Sequence, residues 1–425
     1  MSVTQPLGFR AAGLAAGIKP SGKPDLCLIA RDQPAPGSAT PHTAGSAMSF
    51  TTNAVVGAPI IIGQRTRADV LSARQKPIAA ILINAGNSNA ATGQQGVLDA
   101  LACCQALAPL LGITPEEVLP SSTGVIGRAL PVAKMLSAIP TLARQLARGS
   151  AADAAAAGAI MTTDLAPKSA LARVHINGRE ITIGAIAKGS GMIAPRLDTS
   201  ADRPPVPSAT MLAFITTDAP IDSTNLQAAL DACCQDSFNR ISVDNHPSCS
   251  DTVAVLSSGQ AGGEPIVAGT PAFTQFTAAL ATLCRDLAEQ IVVDGEGATR
   301  IFQATVRGAA TDDAATRIAR EIINSPLVKC AIHGQDPNWG RIVTAGGNAG
   351  VRFDPAHASL SIGPVEVYRA GVPVVAALTD PRLKHAMAGK RVEVVMTVGT
   401  GPGQAWMLGC DLSKQYVFIN AEYTT

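Results

Sequence analysis

The chain has 425 residues, 47% of them hydrophobic, 15% charged and only 3% aromatic. That is enough apolar material for two domains or one large split domain with a core of Ala, Val, Leu and Ile. Lys and Arg number 33 against 32 Asp and Glu, which excludes the basic footprint of a nucleic-acid binder. The nine cysteines contain no CxxC and read as reduced, mostly buried thiols. No signal-peptide pattern and no run of about 18 apolar residues is present, which predicts a cytoplasmic protein without a membrane partner.

In chain order, residues 1–25 are Gly/Pro-rich and predict loop and turn. Ala54–Ile62, Ile78–Ile83 and Val174–Ile186 are β-branched runs and predict strands. Val97–Leu111 carries a helical apolar period, with Gly112 as its stop. The Ala-rich residues 151–160 predict another helix. Residues 196–208, RLDTSADRPPVPS, are polar and Pro-rich and predict an exposed loop. A buried strand follows over Met211–Ile215. Further helices are predicted at Asn225–Asp236, Phe273–Gln290 and Asp312–Ile323. Further strands are predicted at Thr252–Leu256, Ile301–Val306, Val365–Tyr368, Val392–Val398 and Tyr416–Ile419. The irregular alternation predicts an α/β or α+β fold with mixed sheets, in two halves, rather than a doubly wound one.

The six histidines form no HxxH or Cys/His spacing, so no metal site is expected. His333, in HGQDPNWGR, reads as a hydrogen-bonded structural residue. GxSxG, Walker and GxGxxG patterns are absent, and KGSG from Lys188 lacks the order of a phosphate loop. A conventional triad, a metal or a nucleotide loop is therefore not supported. What remains is a series of Thr/Gly/Asn clusters: NAGNSNAATG from Asn84, SSTGVIGR from Ser121, MTTD from Met161, KGSGMIAP from Lys188, ATMLAFITTDA from Ala209 and DGEG from Asp294. Taken singly, each is ordinary turn chemistry.

Ala209-Thr210-Met211-Leu212 is more pointed. A small residue, then Thr, then an apolar strand suits an N-terminal nucleophile. The Thr hydroxyl attacks the preceding carbonyl, the amide becomes an ester, and hydrolysis frees a new N-terminus. That amine, with a pKa near neutrality, can then act as base for its own hydroxyl. The pattern by itself favours the plainer reading, a buried Thr that opens a strand.

Together and in order, these motifs resemble the bacterial ornithine acetyltransferases, the glutamate N-acetyltransferases of arginine biosynthesis. The resemblance runs from GFRAAGLAAGIKPSGKPDL to the terminal NAEYTT and includes NSPLVK, DPNWGR and GCDLS. It implies an N-terminal-nucleophile type of self-processing fold, cut between Ala209 and Thr210 into an α chain (1–209) and a β chain (210–425). It implies that Thr210 is the nucleophile and that Thr123 and Gly124 form the oxyanion hole. Thr162 would contact substrate, and Lys188 would bind a carboxylate or position the reacting groups. Glu296 would face the substrate amine. Asn420 and Thr425 would complete the pocket from an ordered, buried chain end. The reaction implied is ping-pong, from N-acetylornithine to glutamate through an acetyl-threonine, with no cofactor or metal. Acetyl-CoA is a second donor in some members, and the implied assembly is an α2β2 heterotetramer.

One departure stands out. In the family KGxGMxxP runs almost directly into the cut site, whereas here residues 196–208 intervene. Counting from Lys188 lands on Thr199, which Asp198 precedes in place of a small residue; the family context sits at Thr210. A longer loop would relax the strain that drives the acyl shift, so slow or incomplete self-cleavage is expected. VDNHPSCSDT from Val243 and Leu165 after MTTD are smaller departures. Two rival readings remain open: an amidase or aminopeptidase on the same plan, and an uncleaved binding homologue.

Overall fold

The computed structural model describes residues 2–33, 43–198 and 211–422. In chain order the elements begin with β1 (Phe9–Leu14), β2 (Leu26–Arg31), β3 (Ser46–Phe50), α1 (Ala58–Leu71), β4 (Ala80–Asn87), α2 (Gly93–Leu111), β5 (Val118–Val125), α3 (Val132–Arg144), α4 (Ser150–Ala159), β6 (Lys168–Ile176), β7 (Arg179–Lys188), β8 (Leu212–Thr217) and α5 (Ser223–Gln235). After these come β9 (Ile241–Ser242), β10 (Thr252–Ser257), α6 (Pro271–Val293), β11 (Ile301–Ala309), α7 (Asp312–Asn324), α8 (Pro326–His333) and α9 (Trp339–Gly347). The chain closes with β12 (Ser359–Ile362), β13 (Val365–Arg369), β14 (Val372–Pro373), α10 (Pro381–Ala388), β15 (Arg391–Thr397), β16 (Gly403–Cys410) and α11 (Lys414–Glu422). The result is a mixed α/β fold with three mixed sheets.

The chain forms two compact units. The first takes Met1–Asn239 and His246–Ile291, the second Arg240–Asn245 and Val292–Thr424. The first unit holds a four-stranded sheet, β1-β2-β4-β5, and a five-stranded sheet, β3-β10-β8-β7-β6. Their inner faces share one apolar layer that includes Phe9, Ile29 and Ile81 from the first sheet and Phe50, Ile186, Leu212 and Phe214 from the second. The outer face of the four-stranded sheet packs Leu28 and Leu82 against Cys103 and Leu107 of α2 and Ile139 and Leu142 of α3. Two stacked sheets with helices outside are what apolar stripes on both element types require.

The second unit is built on a seven-stranded sheet, β14-β13-β12-β15-β11-β16-β9. The buried stripe Ala315, Ile318, Ala319, Ile322 and Ile323 of α7 enters its core. Thr311 caps that helix by accepting from the Ala314 amide, and Asp312 and Asp313 occupy its positive first turn.

Most predicted elements stand within a few residues of their expected bounds. Gly112 ends α2 in the left-handed conformation, φ 67°. Val174–Ile186 is not one strand but most of a hairpin, whose turn residues Asn177 and Gly178 have φ of 52° and 76°. Three segments take a different element type from the one expected. Phe9–Leu14, expected as loop, is a strand in continuous register with β2. Ala54–Ile62, expected as a strand, runs into α1: a Pro in the first turn starts the helix, and Pro59, Gly63, Thr66 and Val70 bury one face at helical spacing. Tyr416–Ile419, also expected as a strand, lies in α11, where the Ser413 hydroxyl accepts from the Gln415 amide at the helix start.

Of the predicted loop at 196–208, Arg196–Asp198 is described. Leu197 is buried, with its amide donating to Asn239 Oδ1 at 2.6 Å, so this part is held rather than exposed. The remainder lies outside the described residues. All nine cysteines are free, and only Cys330 is exposed. Among the described residues no helix is long and apolar enough to cross a membrane.

Candidate active site

The NAGN segment ends β4 and the SSTG segment ends β5, and the two strands run parallel with Gly86 opposite Gly124. There the register breaks, and Asn87 faces both Thr123 and Val125. The irregularity has a local cause. Gly124 has φ +131°, and a Cβ on it would stand 2.4 Å from the carbonyl carbon of Gly86. Only glycine allows both the conformation and the approach. Side chains fix the crossing: the Ser122 hydroxyl donates to Asn84 Oδ1 at 2.6 Å, and Asn84 Nδ2 donates to the Asn87 carbonyl at 2.7 Å.

Lys188 is the last residue of β7 and is 3% exposed. Its ammonium donates to Thr123 Oγ1 at 3.4 Å and stands 4.0 Å from Asp164 Oδ2. Asp164, in the loop between α4 and β6, organises this corner. Oδ1 accepts from Lys168 Nζ and from the Gly189 amide, both at 2.7 Å, and Oδ2 accepts from the Thr162 amide at 2.9 Å. Burial alone would raise the pKa of Asp164, but Lys188 and Lys168 outweigh it and hold the carboxyl down at about 2. A buried carboxylate with two buried ammonium groups is a fixed, ionised cluster beside Thr123.

Two further groups reach this neighbourhood. Lys19 lies against Gly86 and shares an electrostatic field with Asp164 and Lys188. Near the start of β8, the main-chain amide of Met211 donates to the carboxylate of the fully buried Asp251.

The structure thus gathers Thr123, Gly124, Thr162 and Lys188 within the first unit. Thr162 enters through its amide, bonded to Asp164. Ala209, Thr210, the alternative Thr199 and Thr425 lie outside the described residues. Glu296 and Asn420 meet within the second unit, where Asn420 Nδ2 donates to Glu296 Oε2 at 2.9 Å. Gly297, φ +69°, lets the DGEG turn close on α11: a Cβ there would lie 2.5 Å from the Tyr416 amide nitrogen. Of the chain end expected to be buried, Asn420 is exposed and α11 buries no residue; Thr425 lies outside the described residues. Its helical period alternates Tyr416 inward with Val417 and Phe418 outward.

Residue-type reasoning passed over Asp164, Lys168, Asp251 and Lys19 as site residues. Asp164 lies inside MTTD, four residues before Lys168, and Lys19 lies inside GIKPSGKPDL; neither pattern carries a mark of burial. His333, expected to be hydrogen-bonded, stands 2.7 Å from Oδ2 of the buried Asp411. Among the described residues no His/Cys/Asp/Glu group could hold a metal ion.

Comparison with known proteins agrees over the full length. The ArgJ family model matches residues 10–425. The arginine biosynthesis bifunctional protein ArgJ of Thermosynechococcus vestitus is 43% identical, over 100% of this chain and 98% of its own length. That of Symbiobacterium thermophilum is 41% identical over 100% and 98%. Among solved structures, the ornithine acetyltransferase of Mycobacterium tuberculosis complexed with ornithine is 35% identical, covers 46% of this chain and 96% of its own, and has a TM-score of 0.39. The family match and the full-length relatives define an acyltransferase of amino-acid biosynthesis. The chain belongs to the ArgJ family, the bifunctional acetyltransferases of arginine biosynthesis.

Proposed function

We propose that the chain cuts itself between Ala209 and Thr210 and that the freed Thr210 carries an acetyl group from N-acetylornithine to glutamate. The observation that carries this reading is the corner at the end of β7. There Lys188 is buried against Thr123 and Asp164 and is the register partner of Leu212, two residues beyond Thr210. A nucleophile at the head of β8 would emerge beside a fixed cation and beside the glycine-broken ends of β4 and β5.

In the first half-reaction Thr210 Oγ adds to the acetyl carbonyl of N-acetylornithine, its proton passing to its own α-amine. Main-chain donors at Thr123–Gly124 hold the oxyanion, and the proton returns to the departing ornithine nitrogen. In the second, the amine of glutamate adds to the acetyl ester, and collapse releases N-acetylglutamate and regenerates the Thr210 hydroxyl. The buried Lys188 favours negative charge at this corner. Glu296, held by Asn420, offers a carboxylate suited to a substrate ammonium. Acetyl-CoA serves as a second donor, its thioester taking the place of the amide in the first step. The active particle is an α2β2 heterotetramer in the cytoplasm.

Intact mass and N-terminal sequencing of the purified protein beside Thr210→Ala test the reading. Two pieces, the second beginning at Thr210, with the variant uncut, are expected. A cut before Thr199 moves the nucleophile, and a single uncut chain in both removes it.

A further inference from the structure

The family motifs leave GFRAAGLAAGIKPSGKPDL without a role, yet its Ile18 and Lys19 pack directly on the active corner. A Cβ placed on Gly86 would meet Lys19 Cγ at 3.0 Å, Ile18 Cγ2 at 3.4 Å and the Lys19 amide nitrogen at 3.5 Å. Gly86 is the register partner of Gly124. The loop that carries Lys19 is built, not draped. Asp25 accepts from the Ala16 and Ile18 amides at 2.6 Å and from the Lys19 amide at 2.8 Å. Among the described residues the Lys19 ammonium donates only to the Pro24 carbonyl, at 2.6 Å, which leaves two of its three donors for a ligand.

From this placement we propose that Lys19 takes the α-carboxylate that the acetyl donor and the acetyl acceptor share. The inference rests on the transfer reading above. Both substrates pass through one site in turn, and beyond the acylated nitrogen they share the α-carboxylate. Standard bond lengths put that carboxyl carbon about 2.5 Å from the nitrogen. With the acetyl oxygen at Thr123–Gly124, the cation that meets the carboxylate must border the same glycine pair. Lys168 and Lys188 share Asp164 within the buried cluster. Asp25, the acid nearest Lys19 in sequence, is engaged by three main-chain amides. Lys19 is thus the lysine at this corner whose charge is open to a substrate. Partial burial already disfavours its ammonium and lowers its pKa, so a bound carboxylate would replace hydration that the fold has removed.

The test uses the processed enzyme and measures kcat and KM for N-acetylornithine and for glutamate in wild type, Lys19→Gln, Lys19→Arg and the exposed neighbour Lys23→Gln. Lys19→Gln should raise both KM values about tenfold or more, a loss of about 1.4 kcal/mol, with kcat changed less than threefold. Lys19→Arg should recover most of the loss, and Lys23→Gln should behave as wild type. KM values that stay put, or a fall in kcat alone, overturn the proposal. So does a rise confined to glutamate, which would assign Lys19 to the side-chain carboxylate. Should Lys19→Gln fail to fold, as judged by its melting curve, Lys19→Met, which keeps the apolar stem, carries the same comparison. A wild type that transfers no acetyl group from N-acetylornithine defeats the transfer reading itself, and that outcome is distinct from any effect at Lys19.

Discussion

Lys188, the last residue of β7, is the register partner of Leu212, the first residue of β8. The proposed cut falls between them in sequence, so it severs a connection and leaves the sheet pairing in place. The five-stranded sheet runs β3-β10-β8-β7-β6. Residues 1–209 supply β3, β7 and β6, and residues 210–425 supply β10 and β8, which lie between β3 and β7. Each piece therefore lacks hydrogen-bond partners without the other, and buried backbone groups do not go unpaired. The two pieces should co-elute as one particle on size exclusion and separate only in denaturant. Pieces that part under native conditions would contradict the sheet as described.

The Met211 amide, the first peptide group after Thr210, donates to the buried Asp251 carboxylate. That bond fixes the chain on the downstream side of the proposed cut, while the added residues that the sequence places upstream are expected to relax the strain. Freshly made wild type should therefore cleave incompletely, and Asp251→Ala should slow the cut at least tenfold further. A time course of intact mass from the moment of purification reads both effects. Complete cleavage at the first time point removes the expected penalty of the insertion. An unchanged rate in Asp251→Ala removes the role of the carboxylate.

Asp164 faces two buried ammonium groups, Lys168 at 2.7 Å and Lys188 at 4.0 Å. Asp164→Asn keeps the shape and takes the carboxylate charge away from both, so a cost of about 3–5 kcal/mol is expected from breaking a buried pair on one side. Denaturant melts at pH 7 measure it. The pH dependence has a definite sign. The folded carboxyl sits at about 2, below its ordinary value of 3.8, so its contribution to stability is complete above about pH 4. It is lost as pH falls toward 2. Wild type and Asp164→Asn should converge in stability across that acid window; a gap that persists to pH 2 would mean that the ion pairs are not its source.

Much of this arrangement can be read from the sequence, for reasons that particular residues make plain. Helices with a strict apolar period and a glycine stop, such as Val97–Leu111 with Gly112, declare themselves because the whole signal is local. The run Ile60–Ile62 misleads because β-branched residues favour strands, yet here Pro59 starts a helix and Phe50 receives it: a Cβ on Gly63 would lie 2.4 Å from the Phe50 ring. Such a contact is tertiary and leaves no mark on a local pattern. Thr123, Gly124 and Lys188 were legible through motif resemblance. Asp164 and Lys168 were not, because an ion pair four residues apart around an exposed Leu165 resembles solvated loop until its burial is known. Lys19 was hidden for the same reason, since its neighbour Gly86 is far away in sequence.

The glycine at the centre of the site gives the sharpest substitution. Gly124 combines φ +131° with an approach that would put a Cβ 2.4 Å from the Gly86 carbonyl carbon and 2.5 Å from the Asn87 nitrogen. Both obstacles are backbone, which cannot rotate aside as a side chain can. Gly124→Ala must therefore either move β5 away from β4 or twist the Thr123–Gly124 peptide out of line. Strain of this kind costs about 1–3 kcal/mol. Misaiming an oxyanion donor lowers kcat by about 100- to 1,000-fold. Gly127, in the same motif, also has a positive φ, +77°, but a Cβ there meets nothing within 4 Å. Gly127→Ala should thus pay a comparable conformational penalty without the catalytic loss. Melting curves and kcat for the two variants, measured side by side on processed enzyme, separate the effects. If Gly124→Ala loses stability but keeps kcat, the glycine serves packing alone and the oxyanion assignment at Thr123–Gly124 fails.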